Sequence, residues 1–244
     1  MQAVRIDAHG QPDRLRRVEV AAPRPQPHEV LLRVRAAGVN YADVMMARGR
    51  YPGGPQPPYV PGFEAAGEVV EAGAAAPGFA PGQRVAAITS SGAYAELATA
   101  PAATVLPLPE GVSFEEGAAF PVAFLTTHLC LHGAAALHPG EWVLVHAAAG
   151  GVGTAAVQLA KLAGAKVIAT ASSAEKLEVA RALGADVCVN YEEDDFEEAV
   201  ARHTQGRGVD VVLEALRGAV YERSLRGLAP GGRLVVLGVA GGAP

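Results

Sequence analysis

The sequence predicts an α/β protein with a doubly wound parallel sheet in its C-terminal half, preceded by a compact β domain. Three observations predict it. Residues 142–158 read as a buried strand (Val143-Leu144-Val145-His146), a turn running from Ala147 to Gly153, and the opening of a helix at Thr154. From about Ser113 onward, helical stretches alternate with brief apolar runs, the pattern of parallel strands joined by crossover helices. Residues 1 to about 110 instead hold most of the prolines and short alternating apolar segments between turn residues, the pattern of a β domain.

The expected elements follow in chain order. Glu29 to Arg35 and Gly67 to Gly73 alternate apolar and polar residues and read as strands. Pro55 to Gly62 reads as an ordered loop, because its prolines remove donors that a helix or central strand needs. Gly117 to Gly140 is free of charge and long enough to span a bilayer, but Pro121, Thr126, Thr127 and three histidines make a buried helix the better reading. Strands are then expected at 142–146, 166–170, 186–189, 209–214 and 233–238. Helices are expected at Thr154–Ala163, Ala174–Leu183, Phe196–His203 and Ala219–Leu228. The division is a β domain over 1–112 and a nucleotide-binding domain over 113–244.

Composition excludes several classes. A net charge of −5, an isoelectric point near 5.8 and the absence of any Lys/Arg cluster argue against a nucleic-acid partner. The first residues, Met1 to Asp7, carry charges where a signal peptide carries an apolar run, so a cytoplasmic protein without a membrane partner is expected. Cys130 and Cys188 lie in apolar stretches and read as buried thiols in a reducing compartment; they build neither a four-cysteine zinc lobe nor a redox pair. His128 and His132 would share a helix face, but Cys130 sits about 200° around from His128, so no metal site is expected there.

Gly151-x-Gly153-x-x-Ala156 follows a strand and opens a helix, the context in which this spacing binds a dinucleotide. Backbone N–H groups there can approach a pyrophosphate at the positive end of the helix. Sites that prefer NAD place an acid roughly 20 residues further on, to accept from the ribose 2′-hydroxyl. Here the second strand runs into Ala171-Ser172-Ser173-Ala174-Glu175-Lys176. Ser172 and Ser173 can donate to a 2′-phosphate and Lys176 can supply a charge, which favours NADPH. The alternative is that the serines cap the next helix and Lys176 is solvated.

Four segments together resemble the medium-chain dehydrogenase/reductase superfamily, and within it the zinc-independent quinone oxidoreductases related to zeta-crystallin. They are Gly38-Val39-Asn40-Tyr41-Ala42-Asp43 with Gly49-Arg50-Tyr51-Pro52, Pro61-Gly62-Phe63-Glu64-Ala65-Ala66-Gly67, Ala147 to Gly153, and Ala182 to Asp186 followed by Asn190-Tyr191. The resemblance implies a GroES-like β domain beside a Rossmann-type domain, with the active site in the cleft between them. Zinc-dependent relatives carry cysteine where Asn40 stands and histidine where Phe63 stands, followed by a glutamate like Glu64. Amide and phenyl groups cannot ligate zinc, so no metal is implied.

By the same resemblance Asn40 and Tyr51 line the cleft as catalytic groups, with Asn40 and Thr126 near the nicotinamide. The turn Ala149, Gly150, Gly151, Val152 and Gly153 holds the pyrophosphate. Tyr191 flanks the adenosine end, and Leu237, Gly238 and Val239 reach the nicotinamide ring. Tyr51 packed among prolines, and Asp43 as a helix cap, are the plain alternatives. The implied activity is hydride transfer from NADPH to a small-molecule acceptor, a quinone or conjugated enone, with charge on its oxygen held by Asn40, Tyr51 or the ribose hydroxyls and the proton drawn from water. An enoyl-thioester reductase like those of polyketide synthases, or a non-catalytic NADPH-binding crystallin-like protein, are the rival readings. Relatives continue beyond the fifth strand with a sixth, the edge through which two sheets pair. That strand is missing here, so a truncated domain is expected, and a homodimer in the full-length form.

Overall fold

The computed structural model describes residues 1–10, 15–89 and 92–238. The chain forms two compact units, Met1–Val122 and Ala123–Pro244.

In the first unit, β1 (Gln2–Ile6) pairs antiparallel with β2 (Leu15–Glu19). The longer strands are β3 (Glu29–Ala37), β4 (Glu64–Ala72), β5 (Arg84–Ile88), β6 (Leu97–Pro101) and β7 (Val105–Pro107). They form one antiparallel sheet in the order β6-β3-β4-β5-β7. The strand read at 29–35 forms, but its alternation is broken: Val30 and Leu32 are fully buried and pack with Val69, Val85, Ala87, Ala100 and Val105, Leu31 between them is buried too where the register shifts, and Arg33 and Arg35 are exposed. Two short helices belong to this unit, α1 (Tyr41–Ala47) and α2 (Phe114–Ala119). A capping box starts α2: Ser113 Oγ accepts from the Glu116 N–H at 3.1 Å, and Glu116 accepts from the Ser113 N–H at 2.8 Å. Residues 55–62 form the expected loop, with Tyr59 making an isolated bridge to Ile6.

The next elements are α3 (Pro121–His128) and a π-helical turn, Leu129–Ala134. The single buried helix expected over Gly117 to Gly140 is therefore corrected. Pro121 has no N–H to continue α2 and instead opens α3, a position proline suits. Phe120, Leu125 and Leu129 are exposed rather than buried. Among the described residues no helix is long and apolar enough to cross a membrane.

The second unit then alternates strictly: β8 (Trp142–Val145), α4 (Gly151–Leu162), β9 (Lys166–Ala171), α5 (Ala174–Ala182), β10 (Val187–Asn190), α6 (Phe196–His203), β11 (Val209–Glu214), α7 (Ala219–Arg226) and β12 (Leu228–Val236). All neighbours are parallel, in the order β10-β9-β8-β11-β12. Both faces of β8 are buried, Val143 and Val145 in one core and Leu144 in the other with Ile168, Phe196 and Val212. That is why the strand reads as a continuous apolar run. The last strand begins earlier than expected and is irregular, because the partner of β11 jumps from Leu228 opposite Val209 to Arg233 opposite Val211. The order reverses between β8 and β11, and a crevice at the carboxyl ends of strands flanking such a reversal is where nucleotides bind. Both cysteines are free and half-buried, more open than expected, and burial pushes both thiols up from their ordinary pKa.

Candidate active site

The carboxyl end of the parallel sheet carries the first part of the site. After β8, Ala147 takes a left-handed conformation, φ 51°, and Gly150 caps α4 in an extended one. Gly150 N–H donates to Ala147 O at 2.9 Å, and the helical ladder starts with Thr154 N–H to Gly150 O at 2.8 Å. Helix geometry thus leaves the N–H groups of Gly151, Val152 and Gly153 without intrahelical acceptors. The glycines divide the work. A Cβ on Gly153 would lie 2.3 Å from Ala147 O and 2.7 Å from Ala148 Cα, so this glycine lets α4 close onto the turn. A Cβ on Gly151 would meet nothing within 4 Å, so the open face of the turn, reached past half-buried Ala149, lies at Gly150 and Gly151.

At the end of β9 the two adjacent serines separate. Ser173 Oγ caps α5 by accepting from the Lys176 N–H at 3.4 Å. Ser172 Oγ accepts from Lys176 Nζ at 2.9 Å, which holds an ammonium beside a hydroxyl where NAD sites place an acid. Tyr191 stands next to this pair, since its N–H donates to Ala171 O at 3.2 Å and its side chain is exposed. Across the reversal, Leu237 N–H donates to Glu214 O at 3.0 Å, and Gly238 lies against Ala215. Val239 lies outside the described residues. Thr126 is half-buried on α3, whose next residue, Thr127, bonds Ala123 O at 2.8 Å and reaches Val152 O at 3.4 Å in the first turn of α4. An exposed ammonium and hydroxyl, three orphan N–H groups and an uncrowded glycine fit a phosphorylated dinucleotide.

Sequence reasoning missed two buried groups here. His146, directly before the turn, bonds Thr170 through Nδ1 and Ser224 through Nε2, both at 2.9 Å. Burial, with Arg223 nearby, lowers its pKa to about 4. Glu214 ends β11 fully buried, and its Oε1 accepts the N–H groups of Leu216 and Arg217 at 2.7 and 2.8 Å. The signal for both was a charged or polar residue closing an apolar strand.

In the first unit, Asn40 caps α1 and its Nδ2 donates to Glu64 Oε1 at 2.7 Å. Asp43 accepts from the Asn40 N–H at 2.8 Å, so it caps the helix. Burial raises the carboxyls of both Asp43 and Glu64 above the ordinary range. Tyr51 is exposed by 41%, and its ring centroid lies 6.2 Å from that of Phe63. The two help line a cavity of about 370 Å³ with Met46, Tyr59 and Gly62. Pro55 and Pro61 also line it, so Tyr51 does pack near prolines while facing open space. Asn40 is not in that wall; it stands beside Glu64, the residue after Phe63.

A parallel sheet of this order with a glycine turn at its reversal, in a chain whose other unit is an antiparallel sheet carrying Asn40, Tyr51 and Phe63, defines a medium-chain dehydrogenase/reductase. Residues 26–110 match the family described as alcohol dehydrogenase GroES-like domain, and residues 151–244 the family described as zinc-binding dehydrogenase. The chain is 37% identical to the Homo sapiens quinone oxidoreductase over 243 residues, 99% of this chain and 74% of that protein. It superposes on Escherichia coli quinone oxidoreductase, solved in complex with NADPH, with a TM-score of 0.93 and 35% identity, covering 100% of this chain and 74% of that one. It is also 45% identical over 223 residues, 90% of this chain but 6% of the relative, to the pikromycin polyketide synthase component PikAII of Streptomyces venezuelae. The chain belongs to the quinone oxidoreductase family of that superfamily.

Proposed function

We propose that the protein is an NADPH-dependent oxidoreductase that reduces a quinone or the β-carbon of a conjugated enone. The observation that carries this is the Ser172–Lys176 pair at the end of β9, beside the open glycine turn. When bound, NADPH supplies the hydride. The N–H groups around Gly150, Gly151, Val152 and Gly153 hold the pyrophosphate; Ser172 and Lys176 hold the 2′-phosphate, and Ser173 keeps α5 in place beside them. Tyr191 flanks the adenosine, and Thr126 with Leu237, Gly238 and Val239 bounds the nicotinamide end. Asn40 and Tyr51 donate hydrogen bonds to the acceptor oxygen as charge develops on it, and water supplies the proton. Asn40 and Phe63 offer an amide and a phenyl ring where zinc would need a thiolate and an imidazole, so the reaction proceeds without zinc.

An acidic chain with a net charge of −5 supports a small-molecule acceptor over nucleic acid or membrane, and a cytoplasmic location belongs to the same proposal. So does a homodimeric assembly.

Oxidation of NADPH by the purified protein, followed at saturating cofactor against quinones, enones and enoyl thioesters, tests the reading. Turnover of quinones or enones is expected, with NADPH preferred to NADH. The identity to a polyketide synthase component favours thioester reduction as the second reading, and turnover of thioesters in preference to quinones would select it. Bound NADPH with no turnover of any acceptor would leave a non-catalytic crystallin-like binder.

A further inference from the structure

Glu64 is 2% exposed, yet neither carboxylate oxygen is idle. Oε1 accepts from Asn40 Nδ2 at 2.7 Å and Oε2 from the Val122 backbone N–H at 2.7 Å. Space for it depends on residue 38: a Cβ there would lie 2.3 Å from Oε1 and 2.5 Å from Ala118 O. The backbone at residue 40 is fixed as well, by its N–H bond to Asp43. A carboxylate in this state accepts only, whereas an amide has an N–H₂ end and an oxygen end. Turning the Asn40 amide over would set its oxygen against Oε1 and leave a buried anion facing a lone pair.

We propose that Glu64 is a positioning residue for the reaction: by taking one N–H of Asn40 it fixes which way that amide points and leaves the second N–H to hydrogen-bond the acceptor oxygen. The proposal rests on the role given to Asn40 above. Chemistry at the second oxygen makes the arrangement sensitive to a single atom. In Glu64→Gln the backbone N–H of Val122 claims the remaining oxygen, so the new N–H₂ group faces Asn40 and forces its amide to turn over. The substitution thus inverts Asn40 instead of merely loosening it.

The experiment uses the full chain as wild type, Glu64→Gln, Asn40→Ala and the double variant, with NADPH oxidation by a benzoquinone and NADPH affinity by fluorescence titration. Loss of one preorganised donor lowers kcat by about 10²-fold, so Glu64→Gln is expected near that value with NADPH Kd within about twofold of wild type. The double variant should be no slower than Asn40→Ala, because both changes remove the same interaction. Wild-type kcat should fall as acid protonates Glu64, whose burial places that limb above the ordinary carboxylate range, and the limb should vanish in Glu64→Gln. Asp43 on α1 and the Tyr94 hydroxyl also face this carboxylate, and both remain in the variant.

A Glu64→Gln protein with wild-type kcat, or losses that simply multiply in the double variant, overturns the positioning role and leaves the proposed reaction standing. Should the wild type reduce no acceptor, the reaction fails and the positioning is read from the Asn40 side-chain amide resonances in the wild type, a measurement that needs no variant. Resonances that titrate with Glu64 support it, and resonances indifferent to pH across that titration overturn it.

Discussion

Acidification should destabilise the unit Ala123–Pro244 through one side chain, His146. Its ring is held in a single neutral form. The Ser224 hydroxyl donates to Val220 O at 2.7 Å, so toward His146 it offers only a lone pair and Nε2 must carry the proton. Nδ1 is then the acceptor of the Thr170 hydroxyl. A second proton, on Nδ1, would turn the Thr170 hydroxyl from donor to acceptor and bury a charge near Arg223; burial first and Arg223 second hold the pKa at about 4 against an ordinary 6.5. The sign follows from counting protons. Between those values the unfolded chain takes up a proton that the folded one refuses, so the stabilisation is complete above about pH 6.5 and is lost as pH falls toward 4. The gap is worth about 3 kcal/mol at about 1.4 kcal/mol per tenfold change in proton affinity, a large share of a typical domain's stability.

Urea unfolding of wild type and His146→Gln across that pH range measures it. The free-energy difference between the two proteins should change by about 3 kcal/mol from neutral pH to about pH 4, whatever the variant costs at neutrality. Acidic side chains held below their ordinary pKa by arginines, such as Glu141 by Arg233 and Asp210 by Arg207, also weaken the fold in acid, but they do so equally in both proteins. Parallel pH curves would refute the reasoning, as would imidazole nitrogen shifts showing His146 protonated at about pH 6.

The glycine turn separates its two glycines in a second test. Gly153→Ala should cost about 1–3 kcal/mol by pushing Ala147 and Ala148 out of place, and NADPH should no longer raise the melting temperature. Gly151→Ala, with open space around it, should keep the unfolding midpoint of wild type while weakening NADPH. At the end of β9, Lys176→Ala should weaken NADPH by about tenfold or more in a fluorescence titration and leave NADH nearly unchanged. Ser173→Ala should instead cost about 1 kcal/mol of stability through the lost α5 cap, with the NADPH to NADH ratio unmoved.

What the sequence reveals of this fold is what neighbours in the chain decide. The strand, turn and helix from Trp142 onward are legible because β8 is buried on both faces and Gly153 has a steric task that no other residue performs there. The two serines after β9 show where local reading stops. Either could cap α5, and the choice falls on Ser173 because its backbone is extended, φ −158° and ψ 156°, with its Oγ turned to the Lys176 N–H. That same choice frees Ser172 to meet the Lys176 ammonium, so the cap and the proposed phosphate cradle do not exclude each other.

Asn40 and Glu64 lie further still from local reading. The bonds of Glu64 span 24 residues to Asn40 and 58 to Val122, and nothing in the order of residues says that the Asn40 amide would meet a buried carboxylate. Pro121 is part of the same reasoning, because the proline that broke the expected long helix starts α3 one residue before the N–H that Glu64 accepts. In the first turn of a helix that N–H has no intrahelical acceptor. The helix break thus provides the donor that holds Oε2, and holding Oε2 keeps Oε1 turned to Asn40. The residue that made the sequence hardest to read as one helix is tied, through two hydrogen bonds, to the side chain proposed to meet the acceptor.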